Sequence, residues 1–436
     1  MKLRDYQETA LERARCRFRE GKRAVLLVAP TGAGKTVMIA AAARGHFERN
    51  GQVVVLVHRV ELVRQTLDKL WKSGLRDIGA VSAKGGFNPS AKVVVASIQT
   101  LLARQSAPKA SLVIPDEAHH YLSAEWNKIA SQYSGVPVLG FTATPVRADG
   151  TALGGMFDAL EVVATSRELV AGGHLVPIDV VGPPKRLEHS DIVDAAAAYR
   201  KHGNGRPAVF FAASKPHGRE LLERLGSSAG YVDGQTSADE RKRVLSAFES
   251  GELKQLVNVF VLTEGWDCPP AEVCVLARGC SSMGTFIQIV GRVRRPCPET
   301  GKTRALLIDC KGAVYEHGLP DADRVFSLEG LPIRLAGNQP NLRQCPRCGA
   351  VFELAPQCER CAYDFPVEQK TVREVNKELR TVDNVTPENT KRAFLRQQLQ
   401  KAQSEGKKPG WAAYRYRWRF GHWPNPAWLK EEASHA

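Results

Sequence analysis

Short, nearly continuous apolar runs alternate along the first three quarters of the chain with longer stretches of mixed polarity. Residues 24–28, 53–57, 93–96, 112–114 and 138–141 are such runs, rich in Val, Leu and Ile. A strand that is apolar on both faces must be covered on both faces, so these runs predict parallel strands with crossover helices between them. The pattern is that of a doubly wound α/β domain over residues 1–178. Gly182-Pro183-Pro184 interrupts the rhythm and reads as an interdomain linker. The rhythm resumes with strands at 208–212, 256–261, 273–277 and 305–308 and helices at 215–225 and 238–250. A second α/β domain is therefore predicted over 179–325.

After that the pattern changes. Residues 326–342 are punctuated by Pro and Gly and read as a linker. A cluster of cysteines occupies 343–366, and 367–436 is charged, basic and helix-rich. Thr386 as cap, Pro387 in the first turn and Glu388 near the positive end mark a helix start there. A hydrophobic fraction of 43% excludes a disordered chain, and the net charge of +15 points to a polyanionic partner. Between Lys370 and Lys430 stand fourteen basic and five acidic residues, so this stretch carries more than half of that net charge. No run approaches the roughly 20 apolar residues of a membrane helix. The first residues lead straight into charged sequence, so no leader is expected and a cytoplasmic location is.

Three motifs carry chemistry. Thr31, Gly32, Ala33, Gly34, Lys35 and Thr36 follow a strand and open a helix, the context of a phosphate-binding loop. Gly32 and Gly34 allow the tight turn that aims amide hydrogens at phosphate oxygens. Lys35 would reach the β- and γ-phosphates of ATP, and Thr36 would ligate Mg²⁺. Asp116 and Glu117 end the apolar run 112–114. The first would hold Mg²⁺ and the second would orient and deprotonate the attacking water. Pro115 just before them has no N–H for a sheet ladder, so the strand should end or lose a bond there. Gln288, Gly291, Arg292 and Arg295 recur at i, i+3/i+4 and i+7 and read as one face of a helix. Arg292 and Arg295 on that face can reach a γ-phosphate presented by the other domain, as arginine fingers do.

Taken together, these motifs make the chain resemble superfamily 2 helicases of the DEAD/DEAH-box group across roughly residues 1–325. Within them it is most similar to RadD-type proteins and related phage-encoded helicases. Leu3, Arg4, Asp5, Tyr6 and Gln7 match the element whose glutamine reads adenine. His58, Arg59 and Gln65, and Ser97, Gln99 and Thr100, match segments that grip a nucleic-acid backbone. Thr142-Ala143-Thr144-Pro145 matches the motif that couples hydrolysis to strand binding. Residues 209–214, ending in Ser214, and Thr263, Gly265 and Asp267 match second-domain motifs. The resemblance implies that Thr263 touches a strand phosphate and that Gly265 and Asp267 face the nucleotide. Pro115 departs from the family, which has an aliphatic residue there. The implied architecture is α/β, two tandem RecA-like doubly wound domains followed by a small four-cysteine zinc module and a helical basic C-terminal region. The resemblance also implies a bacterial or phage-infected cytoplasm, with single-strand-binding or recombination proteins as companions.

Cys345, Cys348, Cys358 and Cys361 form two C-x₂-C knuckles whose thiolates can share one tetrahedral Zn²⁺. The other six cysteines are scattered, as in a reducing compartment. The tail interleaves Trp411, Tyr414, Arg415, Arg417 and Trp418. Two readings stand for it: base stacking with phosphate neutralisation, or a small aromatic core with solvated arginines. Only 20 residues, 268–287, separate the last two motor motifs, too few for a long strand-separating hairpin. A wedge is therefore expected in the zinc module or the tail. The sequence as a whole reads as an ATP- and Mg²⁺-dependent DNA helicase or translocase. Its rivals are an RNA-remodelling ATPase of the same fold and a non-motor, zinc-dependent DNA-binding protein.

Overall fold

The computed structural model describes residues 3–58, 60–82, 85–104, 107–121, 123–145, 152–188, 191–263, 265–329, 334–335, 342–366, 388–420 and 423–434. They fall into two compact units, Met1–Val367 and Glu368–Ala436. Among them no helix is long and apolar enough to cross a membrane.

The first unit holds two sheets. The first is built from β1 (Ala24–Val28), β2 (Val53–Val57), β3 (Ile78–Ser82), β4 (Gly85–Phe87), β5 (Val93–Ser97), β6 (Leu112–Pro115), β7 (Val138–Thr142) and β8 (Ala159–Val162). Its order is β4-β3-β5-β2-β6-β7-β1-β8, with only the β3–β4 pair antiparallel. The second contains β9 (Ile178–Val181), β10 (Ala208–Ala212), β11 (Ala229–Val232), β12 (Gln255–Asn258), β13 (Val273–Ala277) and β14 (Ala305–Asp309), all parallel, in the order β11-β12-β10-β13-β14-β9. Each central strand divides its side chains between two cores. Val25 and Leu27 enter one cluster while Leu26 and Val28 enter another, and Val209 and Phe211 part from Phe210 in the same way. That two-sided burial is why these strands read as unbroken apolar runs.

The crossing between domains differs from the sequence reading. The helix Ser166–Ala171 still follows the first sheet, yet Ile178–Val181 already pairs with β14 in the second. The chain therefore passes over at 172–177, and Gly182-Pro183-Pro184 follows the edge strand rather than joining the domains. Strand β12 is also shorter than the expected 256–261. It stops at Asn258, whose buried side chain donates to the Phe210 carbonyl and accepts the Leu262 amide, closing a turn. The strands that the pattern missed are short and weakly apolar. β8 carries Glu161, held by Arg17 at 2.7 Å, and β3 and β11 each contain a Gly.

Beyond the second domain the chain returns to the first. Phe326 and Leu328 pack on the first sheet's core, and the Gly154 amide donates to the Leu328 carbonyl at 2.8 Å. β15 (Arg324–Val325) pairs with β16 (Arg334–Leu335). β17 (Leu342–Gln344) and β18 (Val351–Glu353) then form the hairpin that frames the cysteines. This module is docked rather than tethered. Val351 joins the second domain's core, Ala350 bridges Val181 of edge strand β9, and the Gln344 amide caps the Gly182 carbonyl. The module so covers a sheet edge that would otherwise expose unpaired backbone.

In the second unit, helices Glu388–Ser404, Pro409–Phe420 and Pro426–Ser434 enclose Leu395, Leu399, Ala412 and Tyr416. Thr386 and Pro387, read as that unit's helix start, lie outside the described residues.

Candidate active site

The phosphate loop leaves β1 and enters the helix Lys35–Phe47. Gly32 and Gly34 take φ of 92° and 83°, which L side chains avoid, and space is short as well. A Cβ on Gly34 would lie 2.5 Å from the Gln7 amide nitrogen. No side chain caps this helix, so its first amides and its dipole face the cleft as an anion site. Gln7 is buried against the loop. Its Nε2 donates to the Ala33 carbonyl at 3.0 Å and its Oε1 accepts the Arg4 amide at 3.1 Å, while the Tyr6 hydroxyl donates to the same Ala33 carbonyl. The Arg4 side chain reaches the Tyr6 hydroxyl. The Thr31 hydroxyl is buried with no hydrogen-bond partner among the described residues.

Asp116 and Glu117 emerge where β6 ends. Pro115 does remain in the strand, because its missing N–H points to the β7 flank. There only Val113–Val138 is in register, while the Asp116 amide resumes the β2 side by donating to Leu56. Enclosure in the cleft, followed by the neighbouring Glu117 charge, raises Asp116 to about 6. Glu117 sits at φ 47°, a left-handed conformation rare for a bulky residue and typical of a functional constraint. That turn aims its carboxylate back at the phosphate loop, where Oε1 lies 3.1 Å from Lys35 Nζ.

The other wall comes from the second domain. The helix Met283–Gly291 ends at Gly291, so the expected single helical face from Gln288 to Arg295 is not what places Arg295. Gly291 packs on Thr31, and a Cβ there would come within 2.4 Å of the Thr31 Cβ. Arg292 and Arg295 follow in a turn. Arg292 donates to the Thr263 and Trp266 carbonyls, at 2.7 and 2.6 Å, and so holds the Thr263–Asp267 loop in place instead of lying unengaged as a finger. Arg295 pairs with Asp267 at the cleft. The cleft is lined by Thr31, Gly32, Gly34, Lys35, Thr36, Asp116 and Glu117 from one side and Gly265, Asp267, Arg292 and Arg295 from the other.

A directed hydrogen-bond chain crosses between the walls. The Thr142 hydroxyl donates to the Thr144 carbonyl at 2.8 Å, so it must accept from His119 Nδ1, also at 2.8 Å. In the neutral ring His119 Nε2 is then the acceptor, and Gln288 Nε2 faces it at a long 3.5 Å. Gln288 and Thr142 thus serve as buried couplers. Thr142, matched above to the motif that couples hydrolysis to strand binding, is fully buried, so it makes no direct strand contact and can act on a strand only through its neighbours.

The remaining strand-gripping residues divide. Thr100 is buried and bonded to Ser97, which caps the helix Ile98–Ala103, so it too lies away from the surface. His58 is buried in the nucleotide cleft and stacks on His120 at 4.1 Å. Gln99 is exposed and donates to the His58 carbonyl. Ser214 is exposed as a helix cap, and Thr263 is half-buried. Arg59 lies outside the described residues. In the tail, Trp411 packs on the small core, whereas Tyr414 is 67% exposed and meets Trp423 edge to face, with Arg417 over the Trp423 ring at 4.6 Å. Arg415 lies over Trp411. The aromatic-core reading is thus met by Trp411 and Tyr416, while Tyr414 and Trp423 keep exposed faces outside that core. Nothing is described of the Trp418 side chain.

Lys69, Thr66 and Leu62 also line the cleft, and burial lowers the Lys69 pKa. They belong to the helix Val60–Lys72, and their i, i+4, i+7 spacing was the signal that could have found them.

The four clustered cysteines place their sulfurs within 4.8 Å of one another. Cys345–Cys361 and Cys348–Cys358 are 3.6 and 3.7 Å apart, against about 3.8 Å for sulfurs tetrahedrally bound to zinc. Gly349 and Ala362, both at positive φ, form the two turns behind the ligands. Cys345 is lowered to about 7 despite burial, since the Cys348 and Arg347 amides stabilise its thiolate. The residues fit a tetrahedral metal.

Comparison with known proteins agrees with this geometry. The model of the type III restriction enzyme res subunit matches residues 1–147, and that of the helicase conserved C-terminal domain matches 190–297. A 51.5 kDa protein of a Lactococcus phage is 29% identical over 374 residues, 79% of each chain. A Halobacterium salinarum protein named as DNA 3'-5' helicase Rad25 is 30% identical over 332 residues, 67% of this chain and 52% of its own. The chain spans about half the length of the cellular relatives it matches. A solved fragment of an HsdR subunit of a type I restriction enzyme from Vibrio vulnificus shares the fold, with a TM-score of 0.58 at 22% identity over 75% of this chain and 66% of that one. The chain belongs to the superfamily 2 helicases, which are nucleic-acid-dependent ATPases.

Proposed function

We propose that the protein is an ATP-driven motor on DNA, a RadD-type helicase or translocase that acts on single-stranded or branched DNA in replication, recombination or repair. The observation that carries the reading is the split cleft: Lys35, Asp116 and Glu117 on one domain face Asp267 and Arg295 on the other. Mg²⁺, held by Thr36 and Asp116, would neutralise phosphate charge. Lys35, now on Glu117, would exchange that carboxylate for the γ-phosphate. Glu117, so released, takes the proton of the attacking water. Arg295 leaves Asp267 for the same phosphate, which draws the domains together. The chain from Gln288 through His119 to Thr142 carries the closure to the end of β7, where the Thr142 carbonyl accepts the Ala29 amide at the start of the phosphate loop. Alternating closure and reopening would move the exposed Gln99 and Ser214 and the half-buried Thr263 along a strand.

DNA is favoured over RNA by the RadD resemblance and by the named relatives. ATPase assays with single-stranded DNA, duplex DNA and RNA at equal nucleotide concentration test this. DNA should stimulate several-fold more than RNA; the reverse order would favour the RNA-remodelling rival. Removing residues 368–436 should leave the first unit folded, weaken DNA binding and flatten its salt dependence, since that tail carries 14 Lys and Arg against eight Asp and Glu. An unchanged salt slope would place the phosphate contacts elsewhere.

The cysteine module is proposed to hold one structural zinc. Elemental analysis should find about one zinc per chain, and Cys345→Ser should lose it. Because Val351 and Ala350 dock on the second domain, the same variant should also lower the thermal midpoint by several degrees. Metal loss without any thermal shift would show that the docking contributes nothing.

A further inference from the structure

We infer that Phe260 and Arg278 form a base-stacking platform on the second motor domain, which grips an unstacked base of the DNA strand being tracked. The inference deepens the motor reading and rests on it. Phe260 holds φ 60°, a conformation that a bulky side chain avoids, and yet 57% of it faces solvent. An aromatic ring gains by burial, so a strained turn that keeps it outside works against both backbone and core. The strain is built in: the buried Asn258 ties the turn to Phe210 and Leu262 from below. Backbone strain of this kind persists where the surroundings enforce it, and it gathers at functional positions.

Placement supplies the second observation. β12, β10 and β13 are parallel neighbours, so their C-terminal ends share one rim of the sheet, the rim where open α/β sheets bind ligands. Phe260 stands two residues beyond β12 and Arg278 one beyond β13. The Arg278 guanidinium lies over the Phe260 ring at 4.2 Å, so the pair spans the end of β10, from which exposed Ser214 projects. Thr263 follows three residues after Phe260. A strand whose phosphates meet Ser214 and Thr263 would carry its bases past this ring. Aromatic stacking tolerates any base, and an adjoining arginine adds charge for the phosphate, which suits a motor that must read none. A platform on the motor itself also answers the missing hairpin between residues 268 and 287, where the described residues form β13 and a core helix.

The test uses the full chain and fluorescence anisotropy with two labelled strands of equal length, oligothymidine and an abasic strand. Phe260→Ala and Phe260→Gly should bind oligothymidine about tenfold more weakly and the abasic strand like the wild type. Phe260→Trp should restore oligothymidine binding. Phe260→Gly should melt no lower than the wild type, since glycine relieves the left-handed turn. Equal weakening on both strands, or none on either, would overturn the platform. A wild type that binds neither strand would instead defeat the motor reading itself, before any variant is compared.

Discussion

Glu117→Gln should bind ATP and fail to hydrolyse it, with kcat reduced by about two to four orders of magnitude. The substitution keeps the size and the strained φ of 47°, so the turn that aims the side chain at the phosphate loop persists. What disappears is the negative charge. The water then loses its base, and Lys35 loses the carboxylate that pairs with it. ATP affinity should therefore hold or rise as turnover collapses. Equilibrium binding of a fluorescent ATP analogue beside single-turnover hydrolysis separates the two. Hydrolysis near the wild-type rate would assign the base to another residue.

Arg295→Ala should cost about three to five orders of magnitude in hydrolysis, the range over which arginine fingers act. Of the two arginines the sequence put forward, Arg292 is committed to the carbonyls of Thr263 and Trp266. Among the described residues Arg295 is held by an exposed carboxylate on its own domain, Asp267, and that pair can open at little cost. Losing it should not unfold the domain. Arg292→Ala should behave differently: it releases the loop that carries Thr263 and Gly265, so strand binding should weaken along with hydrolysis. If Arg295→Ala weakens nucleotide binding but turns over normally at saturation, the finger role is wrong.

The strands that build the two domains were legible wherever burial on both faces leaves an unbroken apolar run, as at 24–28, 53–57, 208–212 and 273–277. Edge strands were not. Ile178–Val181 is only four residues long and is broken by Asp179, too short a run to set it apart from the chain that joins the domains. The chemical residues of the cleft were legible because phosphate binding and water activation require particular side chains at fixed spacing. Their supports were hidden. His119 gains its meaning only from Thr142 and Gln288, which are distant in sequence, and periodicity suggested a helix where Arg295 lies in a turn. Thr100 and Thr142 carry a motif's pattern without its surface exposure, a distinction that only packing makes.

The central claim is that hydrolysis in this cleft drives movement along DNA. Displacement of streptavidin from a biotinylated single strand measures movement without requiring duplex separation. With ATP, the wild-type protein should remove streptavidin far faster than spontaneous release, from one strand end only. With a non-hydrolysable analogue, or with Glu117→Gln, the rate should fall to background. Hydrolysis that DNA stimulates but that never displaces streptavidin from either end would contradict the claim and leave a DNA-dependent ATPase that does not travel.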